Sequence, residues 1–166
     1  MTAVVVGNPK PGSRTLHAAR YVAEQLTGSE PDTVVDLVDL GPELLRRDAP
    51  AVLELVSDVI GSELVVFASP TYKATYTGLL KLFLDHVPGQ ALRGVTAVPL
   101  MLGAARDHAL APEVHLRPVL AELGASVPVR GLYVLDSAFD DPASYADWLD
   151  AARPVIGALL RQGALR

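Results

Sequence analysis

The chain has 166 residues, 50% of them hydrophobic, no cysteine, and a formal charge of −5 from 14 basic and 19 acidic side chains. That size suits a single domain over residues 1–166 with a sizeable core. The missing thiols exclude disulfides, thiolate catalysis, iron–sulfur clusters and cysteine-bound zinc, so redox chemistry here requires a bound organic group. The acidic balance offers no basic field for nucleic acid. The chain opens directly into a strand pattern, with no charged leader and no bilayer-length apolar run, so the expectation is a cytoplasmic location and no membrane partner.

Residues 3–6, "AVVV", form a short apolar run closed by Gly7 and Pro9, the pattern of a buried strand. Ser13 can cap the helix that follows, in which Leu16, Ala19, Val22, Ala23 and Leu26 recur at helical spacing before Gly28. Residues 33–40 read as the second strand. A short helical piece comes next, then a helix from about Ala49 whose inward face is Val52, Leu55, Val56 and Val59. Residues 64–68 are continuously apolar and suit the centre of a sheet. After a polar loop, "SPTYKATYTG", a helix is expected over residues 79–85, and residues 95–101 form the fourth strand despite Pro99. A helix over residues 108–123, a fifth strand over 129–135 and a last helix over 142–160 complete an unbroken βα alternation. Alternation of this kind gives an α/β doubly wound parallel sheet with helices on both faces, and the small-domain strand order is 2-1-3-4-5.

In such a sheet the ligand cleft lies beyond the carboxyl ends of the strands where the winding reverses, between strands one and three. Three loops meet there, residues 7–13, 69–78 and 102–107. The first leads into a helix start whose free amides and dipole favour an anion, with hydroxyls at Ser13 and Thr15, a planar fork at Arg14, and Gly12 for close backbone approach. It matches neither the nucleotide P-loop nor G-x-G-x-x-G, so a mononucleotide or flavin phosphate fits better than ATP or a tightly held dinucleotide. The second loop, with Pro70, Thr71, Tyr72, Lys73, Thr75, Tyr76 and Thr77, mixes aromatic and hydroxyl groups suited to a flat heterocycle with a polar edge. The third, with Gly103, Ala104 and Ala105, lets backbone amides approach a carbonyl-bearing ring edge. Arg106 stands either on the surface or against a phosphate of an incoming cofactor.

Taken together, "GNPKPGSRT" at 7–15, "SPTYKATYTGLLKLFLD" at 69–85 and "LGAARDHALAPEVHLRPVLAELGA" at 102–125 resemble the NAD(P)H-dependent FMN reductase family of flavodoxin-like fold. The likeness is nearest to the small reductases that supply reduced flavin to two-component monooxygenases. It covers nearly the whole chain, with the middle motif the most specific. The resemblance implies FMN as cofactor and NADH or NADPH as hydride donor. It implies that Ser13, Arg14 and Thr15 hold the phosphate, that Pro70, Thr71, Tyr72, Lys73 and Thr75 line the ribityl chain and ring, and that Gly103 and its neighbours meet the pyrimidine side. Asn8 stands where many relatives have the serine of Gly-Ser-Pro, and Leu102-Gly103-Ala104 where they often have Thr-Gly-Gly. Both a fixed prosthetic group and a passing flavin substrate stay open.

Such reductases are usually dimers or tetramers, and the apolar girdle of Leu79, Leu80, Leu82, Phe83 and Leu84 exceeds what one sheet-facing stripe requires. A homo-oligomer contact would cover the surplus, and Lys81 and Asp85 are spaced to pair within the helix or across that contact. His115 reads as a helix-surface residue. Hydride transfer needs two stacked rings more than a side-chain acid or base. His17, His86, His108 and His115 assemble no triad with a serine and an acid, so no catalytic side chain and no metal ligand is expected. The alternatives are a quinone or azo-compound reductase on the same flavin, a flavodoxin-like electron carrier, and a flavin-free interaction protein.

Overall fold

In the computed structural model, which describes residues 1–163, the two most continuous apolar runs lie at the centre of the sheet. β1 (Thr2–Val6) and β3 (Leu64–Pro70) pair in parallel from Thr2↔Leu64 to Val6↔Ala68, and every residue of β3 is buried. Around them β2 (Thr33–Asp36), β4 (Thr96–Gly103) and β5 (Leu132–Leu135) complete a five-stranded parallel sheet of order β2-β1-β3-β4-β5. Because successive side chains alternate faces, each strand feeds two cores. Val4, Val6, Val66, Val98 and Leu100 point towards α1 (Arg14–Thr27) and α5 (Ala146–Gly163), through Ala19, Val22, Leu149 and Ile156. Ala3, Val5, Phe67 and Met101 point the other way, towards α2 (Pro50–Ile60), α3 (Gly78–Leu84) and α4 (Arg117–Glu122), through Val52, Val59, Phe83 and Leu120. Among the described residues no helix is long and apolar enough to cross a membrane.

Several segments depart from what local pattern predicts. The second strand stops at Asp36, the last residue in register with β1, because β1 itself ends at Val6 and leaves residues 37–40 nothing to pair with. Residues Leu37–Leu45 instead wind as 3-10 turns broken at Gly41, and Leu37 and Leu44 enter the core. The helix expected over 108–123 divides into a 3-10 turn, a π-helical turn (Pro112–Leu116) and α4. Pro118 has no N–H to give residue 114, and the Arg117 amide reaches back five residues to the Pro112 carbonyl. The last helix starts at Ala146, after a separate 3-10 turn (Pro142–Ser144).

Pro99 sits in register with Phe67 inside the sheet. Its position is nevertheless edge-like. The Thr96 amide points to β3 and the Ala97 amide to Ser126 on the other side, so by alternation the missing Pro99 donor faces the β5 side. There β5 begins only at Leu132, opposite Leu100. The fifth strand is therefore shorter than residues 129–135 predict. The carbonyls of Val127 and Val129 are taken by the Arg117 guanidinium at 2.8 and 3.2 Å, and the Gly131 amide by the Glu113 carboxylate at 2.8 Å.

Candidate functional site

The carboxyl ends of β1, β3, β4 and β5 bring the three predicted loops together. In the first, residues 7–13, the Asn8 side chain is buried and organises the turn. Its carbonyl accepts the Lys10 amide at 2.9 Å, and its amide donates to the Thr15 hydroxyl at 3.0 Å. Gly12 takes a left-handed conformation (φ 57°) and donates its N–H to Asp36 Oδ2 at 3.2 Å. Ser13 caps α1 by accepting the Leu16 amide. Pro9 and Pro11 carry no N–H, so among the described residues the loop amides left for an external acceptor are that of Asn8 and, at the helix start, those of Ser13, Arg14 and Thr15.

The second loop is tied to the first. The buried Ser69 hydroxyl donates to the Pro70 carbonyl and accepts the Thr77 amide, both at 2.9 Å, while the Thr77 hydroxyl donates to the Gly7 carbonyl. Between them Tyr72 and Thr75 exchange backbone hydrogen bonds across a two-residue turn in which Lys73 and Ala74 are both left-handed. Tyr72 is left 51% exposed, its ring open to a flat ligand.

In the third loop Gly103 is buried beneath the Tyr133 phenol. A Cβ there would collide with the Tyr133 hydroxyl and approach Thr71 Oγ1 to 3.2 Å, so a side chain at this position would have to displace the Tyr133 phenol. The Tyr133 hydroxyl donates to the Ala105 carbonyl at 2.6 Å. Burial raises the phenol's pKa, the neighbouring Thr71 hydroxyl opposes that, and the Asp136 and Asp107 charges add to it. With the phenol proton on Ala105, Thr71 Oγ1 is buried without a well-formed hydrogen bond. Asp36 Oδ1 is likewise buried and unpartnered; burial raises its pKa, against the Gly12 hydrogen bond, with Asp39 adding to the rise.

Six of the residues singled out from sequence, Asn8, Ser13, Arg14, Thr15, Pro70 and Tyr72, line one pocket of about 220 Å³ together with Lys10 and Asp136. Asp136, which opens the 3-10 turn Asp136–Ala138 after β5, was not singled out; nothing local marks it. Thr71, Lys73, Thr75, Gly103, Ala104 and Ala105 do not line this pocket. Arg106 lines a separate pocket of about 180 Å³ with Tyr133 and Ser144 on the β5 side. A third depression, of about 200 Å³ and lined by His17, Tyr21, Phe139 and Tyr145 among others, includes no residue of the three loops. His86 lies in a turn after α3, with Nε2 2.8 Å from the Leu44 carbonyl, and His115 is exposed on the π-helical turn. Among the described residues no cluster could hold a metal ion.

Three unpaired amides at the helix start, two hydroxyls and the cations of Lys10 and Arg14 around one pocket form a donor set that fits a phosphate. The exposed Tyr72 beside it suits the flat ring of a flavin. The fold and this arrangement define a flavodoxin-like mononucleotide-binding protein. The pattern of the NADPH-dependent FMN reductase family matches residues 1–140, and the chain belongs to that family. It is 33% identical to the FMN reductase (NADPH) of Escherichia coli (strain K12) over 141 residues, 82% of this chain and 74% of the relative. To the NADH-dependent FMN reductase SfnF of Pseudomonas putida it is 35% identical over 145 residues, 82% of this chain and 78% of the relative. Among solved structures, the apo form of the NADH:FMN oxidoreductase EMOB superposes with a TM-score of 0.83 at 32% identity, covering 93% of this chain and 87% of that one. The chain is accordingly an NAD(P)H-dependent FMN reductase.

Proposed function

We propose that residues 1–166 form a single FMN-binding domain that reduces flavin at the switch point between β1 and β3 and releases it to a flavin-dependent monooxygenase. The observation that carries this reading is the convergence of the Ser13, Arg14 and Thr15 amides with Lys10 on one pocket beside Pro70 and Tyr72. Bound FMN supplies the hydride acceptor for a reduced nicotinamide. The chain's own contribution is placement. The α1 amides with Ser13, Arg14, Thr15 and Asn8 hold the phosphate. Pro70, Thr71, Tyr72, Lys73 and Thr75 flank the ribityl chain and ring, and Gly103, Ala104 and Ala105 border the pyrimidine side. Arg106, on the β5 side of that border, is placed to meet a phosphate of the incoming nicotinamide cofactor. Positioning of two rings at near-attack distance is the main catalytic device, in keeping with histidines that lie outside the pocket.

A second copy of the chain is the proposed cover for the apolar side of α3 and α4. Leu79 and Leu82 stay only partly buried there, and Leu84, Pro118, Val119 and Leu123 line a groove of about 340 Å³.

The deciding experiment mixes FMN-loaded protein anaerobically with NADH and with NADPH in a stopped-flow instrument, following the visible band of oxidised flavin. Saturable bleaching is expected, and its dependence on each nucleotide identifies the donor. FMN bound without reduction by either nucleotide would make the chain an electron carrier. Efficient turnover of quinones or azo compounds with no free FMN would move the acceptor from released flavin to those molecules.

A further inference from the structure

Resting on the phosphate placement above, we propose that the Asp136 carboxylate weakens the chain's hold on the FMN phosphate and thereby speeds flavin release. Asp136 lines the same pocket as Lys10, Ser13, Arg14 and Thr15. Among the described residues no ion pair neutralises it: Arg14 Nη1 reaches only the Asp136 backbone carbonyl, at 3.5 Å, and the guanidinium lies over the Phe139 ring, 5.7 Å from its centroid. Lys10 and Arg14, the two cations of the pocket, are both exposed and therefore well screened. Behind the loop stands a second carboxylate, Asp36, engaged with the Gly12 amide.

An arriving phosphate dianion is thus drawn by the α1 amides and by two screened cations, while Asp136, a residue of the same pocket, brings a carboxylate that has no ion pair among the described residues. Like charges a few ångströms apart in a partly solvated cleft oppose binding by about tenfold in affinity. Permanent retention of flavin gains nothing from that arrangement. A reductase whose product must leave gains a faster dissociation rate.

The test uses Asp136→Asn and Asp136→Ala in the full chain, both at a partly exposed side chain that makes no hydrogen bond or ion pair among the described residues, so the fold is retained. FMN and riboflavin are titrated separately by quenching of flavin fluorescence, and the FMN dissociation rate is read by stopped-flow displacement. Both variants are expected to bind FMN about tenfold more tightly. Most of the gain should appear as slower dissociation, with riboflavin affinity unchanged because it lacks the phosphate. Unchanged FMN affinity in chains that bind FMN normally would overturn this proposal alone. Weakening of FMN and riboflavin together would also overturn it, by making the carboxylate an acceptor for ribityl hydroxyls. A wild-type chain that binds no FMN would overturn the proposed phosphate site and this proposal with it.

Discussion

The Thr77 hydroxyl donates to the Gly7 carbonyl at 2.5 Å and accepts the Leu80 amide at 3.2 Å, so one side chain both caps α3 and ties the end of β1 to the loop after β3. Thr77 is 5% exposed, and neither partner has water as a substitute. Thr77→Val, nearly equal in shape, is expected to destabilise the fold by about 2 kcal/mol, with Thr77→Ser recovering most of the loss. Urea denaturation of the three chains checks it.

Gly7 is the other half of that junction. A Cβ at residue 7 would run into the Leu80 Cβ and lie 2.9 Å from both the Leu80 Cα and amide nitrogen. Backbone atoms cannot swing aside as a flexible side-chain end can, so Gly7→Ala is expected to cost about 2–3 kcal/mol and to loosen α3 against the first loop. A lowered denaturation midpoint with faster amide exchange in α3 is the expected outcome.

Ala74 occupies the left-handed region at φ 69° in the Tyr72–Thr75 turn, where asparagine and glycine are the usual residues. Ala74→Gly should therefore gain about 0.5 kcal/mol despite the greater freedom of glycine in the unfolded chain, whereas Ala74→Val should lose about 1 kcal/mol. Opposite shifts of the thermal midpoint test the pair.

Arg14 is the planar cation on the phosphate pocket. Arg14→Ala is expected to weaken FMN about tenfold, to leave riboflavin unaffected, and to flatten the salt dependence of FMN binding. Equal loss for both flavins would show that Arg14 acts through its stacking on Phe139 and not through the phosphate.

Tyr145 is 1% exposed, its hydroxyl donates to the Phe139 carbonyl, and burial, followed by Tyr21 and Asp140, pushes its pKa well above the ordinary tyrosine range. A raised folded pKa means a contribution that is complete below the unfolded value, about pH 10, and lost as pH climbs from there towards the folded value. The unfolded chain releases its proton first. Stability should then fall above about pH 10 with a slope of up to about 1.4 kcal/mol per pH unit from this group. Tyr145→Phe is expected to flatten that limb while costing about 1 kcal/mol at neutral pH. Denaturant unfolding across pH 8–12 measures both.

Local sequence determined the strands at 3–6 and 64–68, the helix after Ser13, the switch point and the three loops around it. Continuous apolar runs, helical spacing and a capped Gly/Pro turn are properties of neighbouring residues. Ser13, Arg14, Thr15, Pro70 and Tyr72 could be singled out for the same reason, Asn8 only through the family resemblance, and all six line one pocket. Tertiary structure decided the rest. Residues 37–40 left the sheet because β1 had ended beside them, and Pro99 was accommodated because β5 starts late on its donor side. Gly103 packs under a phenol 30 positions along the chain, and Asp136 meets Arg14 across 122 residues of sequence. Contacts of that range leave no periodicity in the chain, because only the assembled sheet brings the carboxyl ends of its strands to one edge.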